Sequence, residues 1–252
     1  MSDETELLKK RFIELSKKSY AKNIFTFTSF LGLAEQSAFS AVKSQLGGSK
    51  YELFGGVDGA ERQMVRFGDP EELGYEVSFP IVTLRAEPVN QRFADKLTHR
   101  DFLGAILNLG IERDTLGDIV IRDNVGYIFA EENIAQYILS ELVRVKHTDI
   151  RLTICDEPPV GELYKTEMRR IQINSERLDA VVARVFSLSR EDAQSLFSKR
   201  LVFADGRCIE SASYTPHVGE KISVRGYGRM VYRGFESNTK KGKLNVQVEV
   251  YI

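Results

Sequence analysis

The stretch "RLDAVVARVFSLSREDAQSLFSKRLVFADGR", residues 177–207, allows few folds. Leu178, Val181, Val182 and Val185 recur at i, i+3, i+4 and i+7, which makes one buried stripe on a helix. Ser189 is suited to cap a second helix, and Asp192 three residues later completes a capping-box-like pattern. Ala193, Leu196 and Phe197 then supply that helix's buried side. Asp205-Gly206 suits the type I′ turn of a tight hairpin, because both central residues must take positive φ. Two short helices therefore run straight into antiparallel strands.

The strands continue. In "VGEKISVRGYGRMVYRGF", Ile222 and Val224 alternate with Lys221, Ser223 and Arg225, so the second set faces away from the core. Arg229 and Arg233 share a face in the same way. "FESNTKKGKLNVQVEVYI" reads as a further hairpin with Lys240, Lys241 and Lys243 at its tip. The expected shape is two helices packed on a small twisted sheet.

Basic residues mark this unit. Arg177 and Arg184 are seven apart and lie on one side of the first helix. Arg190 sits in the first turn of the second, where the macrodipole disfavours a cation; such local inconsistencies tend to mark function. Lys199 and Arg200 close that helix, where cations are favoured anyway. Residues 160–252 carry sixteen Lys and Arg against eleven Asp and Glu, whereas residues 1–159 carry nineteen against twenty-five. The basic end is the better polyanion binder. Guanidinium forks match phosphate oxygens in bidentate geometry, and structured RNA is read by shape and backbone. The expectation is that these cations converge on one surface.

The rest of the chain is expected to be α+β. Residues 3–20 and about 29–46 read as helices, and "KYELFGG" and "ERQMVRF" as strands about a turn, an N-terminal α/β unit of residues 1–75. Residues 76–157 run β-α-β-β-α-β, a ferredoxin-like sandwich of the kind many RNA-binding modules use. Thr98 caps its first helix, Gly110 closes it, and Asp123-Asn124 turns its hairpin. Tyr127 and Phe129 share a strand face and could stack bases, although packing into the core under the helices is the expected role. Residues 158–169, with Pro158, Pro159 and Gly161, read as a linker before the unit at 170–252.

Other chemistries find little support. No run of eighteen apolar residues spans a membrane, and "MSDETELLKKRF" lacks the apolar core of a secretory signal. Cys155 and Cys208 are the only cysteines, which fits a reducing cytoplasm. His99, His147 and His217 are scattered without metal-ligand spacing. "GGVDGAER" lacks the Lys-Ser/Thr end of a phosphate-binding loop. No Gly-x-Gly-x-Gly loop follows a strand, so a methyltransferase is unsupported. No cofactor or metal is expected.

"RLDAVVARVFSLSREDAQSLF…VFADGR…VGEKISVRGYGR" resembles the αL, or S-four-type, RNA-binding domain, matching at Arg177, Leu178, Asp179, Ser189, Arg190, Ala193, Leu196, Gly206, Gly219, Ile222 and Val224. It departs at Arg200, where most members have Gly, at Asp205 for Asn and at Glu220 for Asp. The resemblance implies that Arg177, Ser189, Arg190, Lys199 and Arg200 face RNA. Arg184, Lys221, Arg225 and Arg229 join them as candidates on the face arguments above. "ELFGGVDGAERQMVRF" and "LTHRDFLGAILNLGIERDTLGDIVI" extend the likeness to the whole chain, which resembles the YlmH family of bacterial proteins.

That resemblance implies a non-enzymatic, cytoplasmic binder of structured rRNA and tRNA on the ribosome. It points to the large subunit carrying a stranded peptidyl-tRNA in ribosome-associated quality control, with an older link to cell-division gene neighbourhoods. Two alternatives stay open. One is an RNA-modifying enzyme, since Asp179 in Arg-Leu-Asp is reminiscent of the catalytic Asp of pseudouridine synthases; a cap or salt bridge is the simpler role. The other is a division-related scaffold.

Overall fold

A computed structural model describes residues 3–156, 163–239 and 242–252. They form two compact units, Met1–Leu163 and Tyr164–Ile252. Pro158, Pro159 and Gly161 of the expected linker, and Lys240 and Lys241 of the expected hairpin tip, lie outside the described residues.

The first unit opens with α1 (Asp3–Lys22), which buries Phe12, Leu15, Ser16 and Ser19. Ser16 donates to the Leu46 carbonyl at 2.6 Å, and Thr26, past the end of the helix, donates to that of Leu15 at 2.9 Å. β1 (Thr26–Phe27), β2 (Tyr51–Phe54) and β3 (Met64–Phe67) make an antiparallel sheet in the order β1-β3-β2. The helix expected over 29–46 is cut down to α2 (Leu33–Ser40) and a 3₁₀ turn at Lys43–Gln45. Leu31 and Gln63 exchange both backbone hydrogen bonds, at 2.8 and 3.1 Å, so the residues before Gly32 are extended. α3 (Pro70–Leu73) is a single turn capped by Asp69 and ended by left-handed Gly74.

The same unit continues as β4 (Ile81–Pro88), α4 (His99–Leu107), β5 (Leu116–Arg122), β6 (Val125–Glu131), α5 (Glu132–Glu141), β7 (Arg144–Val145) and β8 (Thr148–Ile154). The antiparallel order β5-β6-β4-β8-β7 is the split βαβ plan, with β7 as a short addition at one edge. Thr98 and Asp101 form the capping box of α4. Asp123 and Asn124 both take positive φ, 49° and 63°, as a type I′ turn requires. Phe102 and Ile106 of α4 and Ala135 and Ile138 of α5 bury against Leu84, Ala86, Ile128 and Ala130 of the sheet. Phe129 points to the other face. It is fully buried there, but beneath the N-terminal sheet's loop: a Cβ on Gly56 would lie 2.4 Å from its ring. The ring is core, as expected, although the helices are not what covers it.

The second unit opens on β9 (Thr166–Ile173), continues through α6 (Leu178–Val185) and α7 (Arg190–Ser198), and ends in β10 (Val202–Ala204), β11 (Arg207–Cys208), β12 (Lys221–Val224), β13 (Gly228–Asn238) and β14 (Leu244–Tyr251). The sheet runs β11-β10-β12-β13-β14-β9, antiparallel throughout. The stripe of α6 and the inward residues of α7 share one core with Ile222, Val224, Met230, Tyr232, Val246 and Val248. Asp205 and Gly206 take φ of 44° and 75°. Arg200, at φ 57°, fills the left-handed position where α7 stops: Leu201 N–H reaches the Leu196 carbonyl at 2.9 Å. A non-glycine residue tolerates that conformation at a cost of roughly 1 kcal/mol.

Candidate nucleic-acid interface

The residues that start α6 and α7 build a groove in the second unit. Arg177 is the residue just before α6, where loop carbonyls of Tyr214 and Ala212 take up the first helical N–H groups, those of Leu178 and Asp179. At the start of α7, Ser189 accepts from the Asp192 N–H at 3.0 Å and donates to its carboxylate at 2.6 Å. Ser189 is thus committed to capping. Between these two helix starts lies a groove of about 540 Å³, lined by Asn174, Ser175, Arg177, Arg184, Arg190 and Lys243, among others. Four of its described lining residues are cations and one, Asp179, is an acid.

That acid is already occupied. Asp179 is buried and receives Arg177 through Nε at 3.0 Å and Nη2 at 2.7 Å, Gln194 at 3.2 Å and the Ala180 N–H at 2.9 Å. Burial alone would push its carboxyl up, but these donors hold it below the usual carboxylate range. The same ion pair raises Arg177. Asp179 ties α6 to α7 through Gln194, the salt-bridge role expected of it. Arg184 and Arg190 are exposed and make no ion pair among the described residues. The groove's net character is therefore cationic. Lys243 comes from the hairpin tip, held there by bonds in both directions between Thr239 and Lys243, at 2.7 and 2.9 Å.

The remaining candidates lie elsewhere, so a single convergent surface does not form. Lys199 and Arg200 sit at the far end of α7, about 13 Å from Arg190 at 1.5 Å per residue. Arg200 faces Glu210 at 3.3 Å, both exposed, a pairing worth little. Lys221 pairs across the sheet with Val231, and Ser223 with Arg229. All four alternate with core residues and so point away from α6 and α7. On that outer face Arg225 stacks on Phe203, 5.3 Å from its ring centre. Arg229 is held between Tyr164 and Tyr251, at 4.7 and 4.5 Å, and Arg233 pairs with Glu249. The physical reason is strand alternation: helix-borne and strand-borne cations occupy opposite faces of one sheet.

Sequence reasoning had no means of adding Asn174 and Ser175 to the groove. They lie in the turn between β9 and α6, and no periodicity marks them. Among the described residues no three His, Cys, Asp or Glu side chains are grouped to hold a metal, and no helix is long and apolar enough to cross a membrane.

Comparison with known proteins adds three findings. A family model described as "Putative RNA-binding domain in YlmH" matches residues 74–157. The "Ribosome-associated protein quality control protein P2" of Bacillus subtilis (strain 168) is 31% identical over 230 residues, covering 88% of this chain and 86% of that protein. The solved structure of "Cell division protein ylmH from Streptococcus pneumoniae" is 20% identical, covers 62% of this chain and 93% of that one, and superposes with a TM-score of 0.48.

Proposed function

This chain belongs to the YlmH family, and from that premise we propose that it is a non-enzymatic, cytoplasmic RNA-binding protein of ribosome-associated quality control. Its ligand is structured RNA, rRNA and tRNA, on the large subunit carrying a peptidyl-tRNA. The observation that carries this reading is the α6–α7 groove. Arg184, Arg190 and Lys243 present cations that no carboxylate among the described residues neutralises, beside an Arg177 pre-oriented by Asp179. Phosphate oxygens supply the missing partners, and charge-assisted bonds to them are the strong ones. Such contacts position an RNA backbone without reading sequence.

The roles divide accordingly. Arg184 and Arg190 grip phosphates, Arg177 is positioned to do so with its remaining Nη1, and Ser189 keeps the start of α7 in place. Lys199 and Arg200 touch the RNA farther along. Lys221, Arg225 and Arg229 on the other face add a weaker, longer-range attraction. The test is co-sedimentation of the chain with large ribosomal subunits as salt is raised, comparing wild type with an Arg184→Ala/Arg190→Ala variant. Early release of the variant supports the reading. Equal retention of both overturns it.

A further inference from the structure

The sheet of the second unit ends on β9, an eight-residue strand that pairs with β14 on one side. The register runs from Thr166–Tyr251 to Ile173–Leu244 without a bulge. One pair further, the Ile252 N–H donates to the Lys165 carbonyl at 2.9 Å. Antiparallel ladders alternate hydrogen-bonded and non-hydrogen-bonded pairs. Lys165, Glu167, Arg169, Ile171 and Ile173 therefore direct their backbone groups to β14. Thr166, Met168, Arg170 and Gln172 turn theirs outward. All four are exposed, Met168 by 55%. Among the described residues no strand pairs with this edge. A straight, unpaired edge is a template for a further strand.

The geometry points to a second copy of this chain as the occupant, β9 against β9, antiparallel about a two-fold axis at Met168. The outward backbone groups meet only in registers that set even-numbered residues opposite even-numbered ones. With the axis at Met168, Met168 faces its own copy and Thr166 faces Arg170 on each side. Three such pairs give about six backbone hydrogen bonds. Between them lie the non-hydrogen-bonded pairs, whose Cα atoms approach to about 4.5 Å. There Glu167 faces Arg169 of the second copy, twice. These two side chains are exposed enough to reach across, and within one chain they already bond at 2.7 Å. Together they make a four-charge cluster of alternating sign. Neighbouring registers fail. An axis at Glu167, Arg169 or Arg170 sets that residue against itself, and like charges directly opposite destabilise a sheet. Charges on an edge strand ordinarily keep other strands away; here they admit one register. Such an interface is isologous, as a two-fold pair requires. Its axis is normal to the sheet, so α6 and α7 of both copies stay on one side, and the pair presents two α6–α7 grooves on the same face.

The test is sedimentation equilibrium of the full chain, treated with ribonuclease so that RNA cannot bridge molecules. One strand pair is a small interface of the transient class, so the chain is followed up to about 200 µM. The wild type is expected to shift from monomer to dimer across that range. Glu167→Arg alone and Arg169→Glu alone each put like charges opposite at both positions, and each should weaken association about tenfold or more. Mixed in equal amounts, the two variants should associate as well as the wild type, because every facing pair is again of opposite sign. Met168→Pro removes an N–H that points away from β14, a place where an edge strand tolerates proline. It should leave the fold intact by circular dichroism and abolish the dimer. A wild type that stays monomeric throughout overturns the pairing and leaves the edge to an extended segment of another protein. A dimer that withstands either charge reversal overturns it too, as does a mixture no more associated than its two components.

Discussion

Arginine takes opposite roles at two places, one in each unit. In the first, Arg66 is buried between the rings of Phe25 and Phe79 and bonds the Val77 carbonyl at 2.6 Å and Glu52 at 2.5 Å. Arg62 spans the carbonyls of Phe30, Arg113 and Leu116, at 2.8 to 3.2 Å, and Arg113 shares that of Leu116 at 2.7 Å. Burial, with the Arg62 charge beside it, lowers Arg113 to about 10, so it stays charged at neutral pH. These guanidiniums hold loops together. In the second unit Arg184 and Arg190 are exposed and make no ion pair among the described residues. The lesson is that net charge does not locate a polyanion site; the partners each cation already has decide it.

That contrast can be broken at several points. The largest effect is expected from Arg66→Ala, which removes packing and charged hydrogen bonds together and should lower stability by about 3 kcal/mol in denaturant titration, with little change in RNA affinity beyond that. Arg184→Ala/Arg190→Ala should do the opposite. Affinity for structured RNA falls about a hundredfold, roughly 2.7 kcal/mol, while the melting temperature stays put. Asp179→Asn should cost about 1–2 kcal/mol by weakening the α6–α7 tie. Because the folded-state pKa of Asp179 is depressed, its stabilisation is complete above the ordinary carboxylate value near 4. It is lost as pH falls through the lowered folded value, and acid titrations of wild type and variant should converge there. Lys221→Ala/Arg225→Ala should weaken RNA binding about threefold or less. Arg200→Gly is expected to stabilise by up to about 1 kcal/mol through relief of positive φ.

Most of the second unit's local structure was legible. Its helices have strong 3.6-residue stripes, a good cap at Ser189 and a turn at Asp205-Gly206 that only one hairpin type explains. The central β-α-β-β-α-β order was legible for similar reasons. β9 was not, because "TEMRRIQI" is paired with β14, some seventy residues later, and its residues before Ile171 are largely exposed. The truncation of α2 was hidden too, since the Leu31–Gln63 bridge is a tertiary override of a helical pattern. At the candidate site, helix spacing correctly predicted that Arg177 and Arg184 share a side, and strand alternation correctly turned Lys221 and Arg225 outward. Joining both sets on one surface was the error of inference, since outward from a sheet and outward from the helices covering it are opposite directions. Arg62 and Arg113 carried no local signal at all.

The groove's role is tested most directly by the salt dependence of binding to a structured RNA. Each phosphate contact contributes a slope of roughly 0.7 to 0.9 in log affinity against log salt. Arg184→Ala/Arg190→Ala should therefore bind with a slope shallower by about 1.5 than wild type, its fold intact by circular dichroism. An unchanged slope and affinity in that folded variant would place the RNA on some other surface.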